Sequence, residues 1–303
     1  MIHQLRKDNA VEKKEISAAL VKELREKTDA PMMECKKALV ESGGDIVKAI
    51  DAMRVAGQAR AVKKASRVAA EGTIIARTSS DGKRAVLLEV NCETDFVARE
   101  ERFQQFARDS ANEALQKGIQ SIEKLQTAVD EKRLSLVAQL GENITVRRLN
   151  FQETSQGAIG IYAHGDANGA RIGSMVVLKQ GTVELAKDLA MQVAAMNPEF
   201  LNSQDIPKAR LEKEKEIFEA QTREEGKPEA IFDKIVAGKL KKFETEVTLL
   251  GQVFVKDPSK TIEKLLKETG AIVESFVRFE VGEGIEKKED NFVAEVMAQV
   301  RGE

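Results

Sequence analysis

The amino-acid sequence predicts an α+β protein, in which an N-terminal unit of three helices precedes a core of two related halves. Three observations predict this class. Apolar residues repeat at helical spacing from residue 16 to residue 54. A pattern of two strands, a tight turn and a helix then occurs twice, and a later strand completes each copy as a small antiparallel sheet with helices on one face. A charged helical pair is inserted into the second copy.

The three-helix domain is predicted at residues 16–56. Pro31 suits the first turn of the second helix, and Asp45 can cap the third. Met32 and Met33 are adjacent, so they cannot both face one narrow core stripe, and we expect one of them to be exposed. An exposed methionine is either incidental or part of a soft contact surface, and the pattern leaves both interpretations open.

Two polar stretches flank this domain. Residues 1–15 have no periodicity and are predicted to be a disordered extension. Residues 57–71 carry lysines and arginines among small residues and are predicted to be a basic linker. Such a run is usually a solvated helix or a tether. RNA binding is the less favoured interpretation, because no aromatic residue lies among the charges.

The core is predicted to consist of one half at residues 72–155 and another at residues 156–288. Each half begins with two strand patterns joined by Asp-Gly or Asn-Gly turn chemistry and followed by a helix. Residues 144–149 supply the completing strand of the first half, and residues 276–281 that of the second. Two halves of the same plan indicate two related α+β subdomains.

Two further helical segments are predicted. Residues 208–243 are densely charged, carry few apolar positions and turn at Gly226-Lys227-Pro228, which predicts an inserted antiparallel helical hairpin. Residues 289–303 repeat apolar side chains at helical spacing and predict a C-terminal helix. That apolar stripe requires a surface on which to dock, either on the protein's own core or on a partner.

Composition excludes several classes of function. The 303-residue chain has a formal net charge of −2, no tryptophan and one tyrosine, which disfavours a stacking platform for single-stranded nucleic acid. Two cysteines and two histidines do not favour a disulfide framework or a zinc site. We expect no cofactor, no direct nucleic-acid partner and no membrane span, and therefore a cytoplasmic protein. The sequence also shows no phosphate-binding glycine loop and no nucleophile with a usable base, which favours an interaction protein over an enzyme.

The segment at residues 88–99 connects a strand to a helix through an Asn-Cys-Glu corner. Asp95 and Phe96 stand side by side where that helix begins. Pattern alone favours the interpretation that Asp95 caps the helix and Phe96 lies in the core. In the alternative interpretation, Phe96 points outward as a wedge and Asp95 fixes it.

Five motifs, in order along the chain, resemble the bacterial elongation factor Ts family. They are KELR at 22–25, PMMECKKAL at 31–39, NCETDFV at 91–97, HG at 164–165 and FEVGEGIEK at 279–287. The resemblance covers residues 16–303. The sequence departs from the family in its extra N-terminal residues and in the longer turn at 165–169.

The resemblance implies a guanine-nucleotide exchange factor of translation elongation that is not an enzyme in the strict sense. Such a factor binds elongation factor Tu in its GDP-bound and nucleotide-free states, disturbs the Mg–GDP site, promotes GDP release and leaves when GTP rebinds. The pairing is either one to one or a dimer of heterodimers. The competing hypotheses are a structural or assembly protein that uses the helical hairpin and the C-terminal helix, and an RNA-binding module that uses the basic linker.

The resemblance also implies roles for particular residues. The N-terminal domain resembles a ubiquitin-associated fold that docks on the GTPase domain of Tu, with Arg25, Met32 and Met33 as contacts. His164 and Gly165 are expected to touch a different Tu domain, and the C-terminal module to return to the GTPase domain. The element that dislocates magnesium from Tu corresponds to Thr94, Asp95, Phe96 and Val97.

Overall fold

The computed structural model describes residues 16–28, 30–166, 169–226 and 228–286. The predicted disordered extension at residues 1–15 and the predicted C-terminal helix at residues 289–303 lie outside these described residues. Within them, no helix combines the length and the apolar character needed to cross a membrane.

The N-terminal part is the predicted bundle of three helices, α1 (Ala18–Thr28), α2 (Met32–Glu41) and α3 (Ile46–Lys64), hereafter the three-helix unit. Its small core includes Leu24, Cys35 and Leu39, which are fully buried. Asp45 caps α3 as predicted, because its carboxylate accepts a hydrogen bond from the Lys48 backbone N–H at 3.1 Å.

Helix α3 continues past residue 56, where the sequence placed the boundary with the basic linker. It takes in residues 57–64, the first half of the basic stretch. This stretch is rich in alanine, lysine and arginine, which favour helix, and α3 also packs along α6 (defined below). The basic stretch is therefore partly a solvated helix, one of the two forms considered from the sequence.

The first half of the core has the strands β1 (Glu71–Thr78), β2 (Arg84–Cys92) and β3 (Thr145–Glu153), with β2 in the middle. Three helices lie between β2 and β3 in the chain: α4 (Asp95–Ala98), α5 (Glu101–Lys117) and α6 (Ile122–Leu140). Phe103 of α5 belongs to the core of this half and is its largest fully buried side chain.

The second half repeats the plan with β4 (Ala158–Asp166), β5 (Gly169–Gln180) and β8 (Ile272–Glu280), and β5 is in the middle. Helix α7 (Val183–Met196) follows β5 and covers the sheet. The inserted segments are α8 (Lys208–Glu224), α9 (Glu229–Val247), β6 (Val253–Phe254), β7 (Asp257–Thr261) and α10 (Ile262–Thr269). The α+β class with two small antiparallel sheets is thus confirmed.

One residue pair, Ile74 of the outer strand β1 with Ala170 near the start of the central strand β5, joins the two sheets into one six-stranded sheet. Side chains from both halves, including Leu87, Met175 and Phe279, form a shared core at this junction. Gly173 is required there, because a Cβ at that position would lie 2.5 Å from the Ile74 Cγ2 atom. The close approach of the two halves therefore depends on glycine, which has no Cβ, at position 173.

Helices α8 and α9 form the predicted antiparallel hairpin. Aromatic side chains hold it together: the rings of Phe218 and Phe243 meet edge to face with centroids 6.4 Å apart. The guanidinium of Arg210 lies 5.6 Å from the Phe243 ring centre, and that of Arg223 lies 5.5 Å from the Phe232 ring centre. Few aliphatic side chains lie between α8 and α9, so these aromatic and cation–π contacts supply much of the packing between the two helices.

Candidate functional site: an exposed phenylalanine on a braced corner

The junction between β2 and α4, residues 91–99, is the corner that the sequence singled out. Thr94 and not Asp95 caps the helix: the Thr94 backbone is extended and its hydroxyl accepts a hydrogen bond from the Val97 N–H at 3.3 Å. Asp95 is already the first helical residue, and its carboxylate pairs with Arg99 at 3.2 Å. The interpretation of Asp95 as the cap is therefore wrong, because the residue before it already occupies the capping position.

Phe96 is 80% exposed. The core position predicted for it by pattern alone is wrong, because the single turn of α4 packs inward through Val97 and Ala98 while Phe103 fills the space beneath. The outward orientation of the alternative interpretation is what the structure shows. Asp95 fixes this turn by pairing with Arg99 one turn later.

Glu142 braces the corner from below. Its carboxylate accepts hydrogen bonds from the backbone N–H groups of Glu93 (3.1 Å) and Thr94 (3.0 Å) and from the Thr94 hydroxyl (2.6 Å). In return, the Glu93 carboxylate accepts a hydrogen bond from the Asn143 N–H at 2.6 Å. Hydrogen bonds to a charged acceptor contribute about 1.5–3 kcal/mol each. The corner is accordingly rigid despite its exposed ring.

Sequence reasoning missed Glu142 and Asn143. Gly141 ends α6 in the left-handed conformation, which marks the segment as a loop in the sequence as well. Nothing in the local pattern indicates that this loop contacts a corner nearly fifty residues earlier. Only the packing of α6 beneath the first sheet brings the two segments together.

Cys92, at the start of the corner, has a structural role. It is fully buried, and its thiol donates a hydrogen bond to the Thr94 carbonyl at 3.2 Å. Burial raises the pKa of the Cys92 thiol well above its ordinary value, and the nearby carboxylates of Glu142 and Glu71 act in the same direction. The protonated thiol is thus a packing and hydrogen-bonding group with no nucleophilic character.

The three-helix unit presents a soft apolar surface. Met32 is 48% and Met33 is 76% exposed, so both methionines are exposed where the sequence led us to expect one. The reason is that α2 buries Cys35, Ala38 and Leu39 on its inner face and leaves its first turn outside. Arg25 on the neighbouring helix α1 is also exposed.

His164 and Gly165 lie on the hairpin between β4 and β5. The Tyr162 hydroxyl and the His164 Nδ1 atom are 3.2 Å apart, and both side chains lie on the same face of the strand. The pairing register shifts between His164 and Gly165. A Cβ at Gly165 would lie 2.1 Å from the Gly169 carbonyl oxygen, so this close hairpin needs glycine.

The site residues inferred from the sequence therefore belong to three separate elements: the α1–α2 surface, the corner and the β4–β5 hairpin. In the described part of the chain, no three His, Cys, Asp or Glu side chains are grouped so as to hold a metal ion. Exposed residues distributed in this way are typical of a broad contact surface rather than an enclosed catalytic pocket.

Comparison with known proteins assigns the chain to a family. A family model described as elongation factor TS matches residues 93–283, which include residues 93–99 of the corner, Glu142 and His164. Among curated proteins, elongation factor Ts of Legionella pneumophila (strain Paris) is 55% identical over 293 residues, which cover 94% of this chain and 99% of that protein. Its counterparts in Francisella tularensis subsp. novicida (strain U112) and Thioalkalivibrio sulfidiphilus (strain HL-EbGR7) are 52% and 50% identical over 294 residues, which cover 95% of this chain and 99% of each relative. The chain therefore belongs to the elongation factor Ts family of translation elongation factors.

Proposed function

We propose that this protein is a guanine-nucleotide exchange factor, which binds elongation factor Tu in its GDP-bound form and promotes release of GDP. The observation that carries the proposal is Phe96, an 80% exposed aromatic ring on a corner braced by charge-assisted hydrogen bonds. A large apolar side chain held in water by a rigid support is suited to insertion into a partner. Membership of the elongation factor Ts family supports the choice of partner.

The chemistry of bound GDP explains why a wedge is effective. A GTPase holds GDP largely through its phosphates and a Mg²⁺ ion that requires near-octahedral oxygen geometry. Phe96 does not need to touch that ion. Insertion between packed elements near the metal site shifts them by about an ångström, because packed interfaces switch between discrete arrangements. The displaced ligands then no longer fit Mg²⁺, and GDP is held less tightly.

The remaining exposed residues supply the binding energy that offsets this distortion. Met32 and Met33 give an adaptable apolar contact, and the exposed Arg25 on the neighbouring helix α1 adds charge for the GTPase domain of Tu. His164 and Gly165, on another element, are suited to a second Tu domain. Contacts at separate points hold the partner while the wedge acts at one of them.

Release of the factor follows from linkage. If binding of the factor weakens GDP binding by some ratio, nucleotide weakens binding of the factor by the same ratio. The nucleotide-free complex therefore dissociates when GTP binds. No covalent bond forms or breaks in this cycle, so the protein needs no catalytic residue and no cofactor of its own, and it acts where translation takes place, in the cytoplasm.

The test is the release rate of a fluorescent GDP analogue from elongation factor Tu, with the parent protein, Phe96→Ala and the control Val253→Ala. Val253 is also an exposed apolar side chain (48%), but it lies in the short strand β6. We expect acceleration by the parent and the control, and the loss of most of it in Phe96→Ala. Equal acceleration by all three would reduce Phe96 to a minor contact. No acceleration by a folded parent would contradict the proposal and favour the assembly-protein alternative.

A further inference from the structure

The loop Gly141-Glu142-Asn143, hereafter the 141–143 loop, connects α6 to β3 and contacts two other parts of the protein. Each of its three residues makes hydrogen bonds to a segment distant in sequence. Gly141 has φ +80°, which directs the chain out of the helix and places the next two residues between those segments.

On one side, the loop holds the corner that carries Phe96. The Glu142 carboxylate accepts three hydrogen bonds from Glu93 and Thr94, and Asn143 donates its backbone N–H to the Glu93 carboxylate. These bonds are reciprocal, since each segment supplies a carboxylate that accepts from the backbone of the other. Neither segment can shift without breaking several of them.

On the other side, the loop holds the end of α3. The Lys64 ammonium donates to the Gly141 carbonyl at 2.6 Å. The amide of Asn143, which is 5% exposed, donates to the carbonyls of Ala65 (3.4 Å) and Arg67 (2.8 Å). The Arg67 guanidinium in turn lies 3.6 Å from the Glu93 carboxylate. The end of the three-helix unit and the corner are thus fastened to the same three residues.

We propose that the 141–143 loop is the joint that holds Phe96 at a set position relative to the three-helix unit, with Glu142 and Asn143 as positioning residues for nucleotide exchange. The inference rests on the proposed function. The three-helix unit presents Met32 and Met33 for docking, and the corner presents Phe96 for insertion. Because the joint fixes the distance between these two surfaces, docking of the three-helix unit on Tu brings Phe96 to its insertion point.

The physical reason is preorganisation. If the corner could move when Phe96 meets Tu, the binding energy would displace the corner of this protein instead of distorting Tu. Carboxylates accept four hydrogen bonds here, one from a hydroxyl and three from backbone N–H groups, and these bonds resist that movement. Glu142 and Asn143 act on Phe96 only through the corner, so their loss is expected to reduce the efficiency of the bound complex rather than its formation.

The experiment measures GDP release from Tu against factor concentration, which separates the maximal rate from the half-saturating concentration. In Glu142→Ala we expect the maximal rate to fall about tenfold, since small misplacements of a working group are costly, while half-saturation changes by less than about twofold. Glu142→Gln is the conservative rescue: its amide oxygen accepts from both N–H groups, and its NH₂ group donates to the Thr94 hydroxyl. We expect this variant to keep most of the rate.

Glu113→Ala is the matched control, because Glu113 is a partly buried carboxylate of the same half that pairs with Lys117 and Lys132 on α5 and α6. We expect it to exchange like the parent. Hydrogen exchange of the Glu93 and Thr94 amides, without Tu, gives a second readout: protection falls in Glu142→Ala and not in Glu113→Ala. If Glu142→Ala does not fold, Lys64→Met removes only the bond to the Gly141 carbonyl and is expected to lower the maximal rate by about twofold.

The outcomes separate this inference from the proposed function. An inactive parent would overturn both. An active parent with an unchanged maximal rate in Glu142→Ala would overturn the joint alone, as would a change confined to half-saturation. Equal loss in Glu142→Gln and Glu142→Ala would also overturn it, because the hydrogen-bond geometry would then not be the cause.

Discussion

The two halves of the core share one arrangement of strands and helices, but the connection from the central strand to the next helix differs between them. In the second half, β5 passes through Gly181 to Thr182, whose hydroxyl caps α7 by accepting from the Leu185 N–H at 3.2 Å, and α7 then runs for 14 residues. In the first half, Thr94 caps in the same way, but α4 ends after four residues. Glu100 then starts α5 by accepting hydrogen bonds from two backbone N–H groups.

This difference bears on the proposed function. The second residue after the cap is Phe96 in the first half and Glu184 in the second. That position is exposed in both halves, but only in the first half does it carry an aromatic ring, and the next helix of that half supplies the core with Phe103. The shared plan supplies an exposed position after the cap, and the ring placed there in the first half is the proposed wedge.

The largest expected effect separates the two phenylalanines around the corner. Phe103→Ala is expected to lower the free energy of unfolding by about 3–5 kcal/mol, because it empties a fully buried site. Phe96→Ala, at an exposed site, is expected to change it by less than about 0.5 kcal/mol. Urea unfolding measures both. A large destabilisation by Phe96→Ala would mean that the ring packs on its own protein.

The next largest effect concerns a buried charge, which the central strand β2 carries between residues 84 and 92 and which the buried segment 175–178 of β5 lacks. Glu89 of β2 is fully buried, whereas β5 buries apolar side chains from Met175 to Leu178. Burial acts to raise the pKa of Glu89, but hydrogen bonds from the Gly282 N–H, the Asn91 amide and the Arg148 guanidinium outweigh it and hold that pKa below its ordinary value.

A depressed folded-state pKa stabilises the protein above the unfolded-state value. This contribution is expected to be complete above about pH 4.5 and to be lost as the pH falls through the folded-state pKa. Glu89→Gln is expected to lower the free energy of unfolding at pH 7 by about 2 kcal/mol, because it takes the Glu89 carboxylate from the Arg147 guanidinium and leaves Arg148 with Glu283 alone. Urea unfolding of parent and variant from pH 3 to pH 7 measures the pH dependence and the loss of stability. If parent and variant showed the same pH dependence, the stabilising role of ionised Glu89 would be contradicted.

A smaller effect compares the two caps directly. Thr182→Val removes one capping hydrogen bond and is expected to cost about 1 kcal/mol. Thr94→Val removes a cap and also the hydroxyl bond to Glu142, so about 2 kcal/mol is expected. In the GDP-release assay, only Thr94→Val is expected to slow exchange. Equal loss of stability in the two variants would show that Glu142 adds nothing to the cap.

The smallest expected effect is that of Asp95→Asn. The pair between Asp95 and Arg99 is half-exposed, and such pairs contribute between about 0 and 1 kcal/mol. Urea unfolding is therefore expected to be nearly unchanged. If the GDP-release rate nevertheless falls more than about fivefold, which corresponds to about 1 kcal/mol, then Asp95 contacts a group on Tu as well as fixing its own turn.

Most of the fold could be predicted because its signals are local. The strand-turn-strand pattern, the helical repeats and the charged hairpin at 208–243 each occupy a continuous stretch, and local periodicity determined their type. The candidate site was found through its motifs but misinterpreted in detail. Pattern alone favoured Asp95 as the cap and Phe96 as a core residue, because most acid-aromatic pairs at such corners are structural, and it left the outward wedge as the alternative.

By itself, the sequence determined the repeated α+β plan, the inserted hairpin and the family to which the chain belongs, since these depend on residue order along short segments. Only the tertiary structure decided which threonine caps the corner, that both Met32 and Met33 face solvent, and that Glu142 and Asn143 hold the corner from nearly fifty residues away. The physical reason is that exposure and long-range hydrogen bonds depend on which helix occupies the space beneath a side chain. Tertiary packing determines which helix that is, and the periodicity of the sequence carries no information about it.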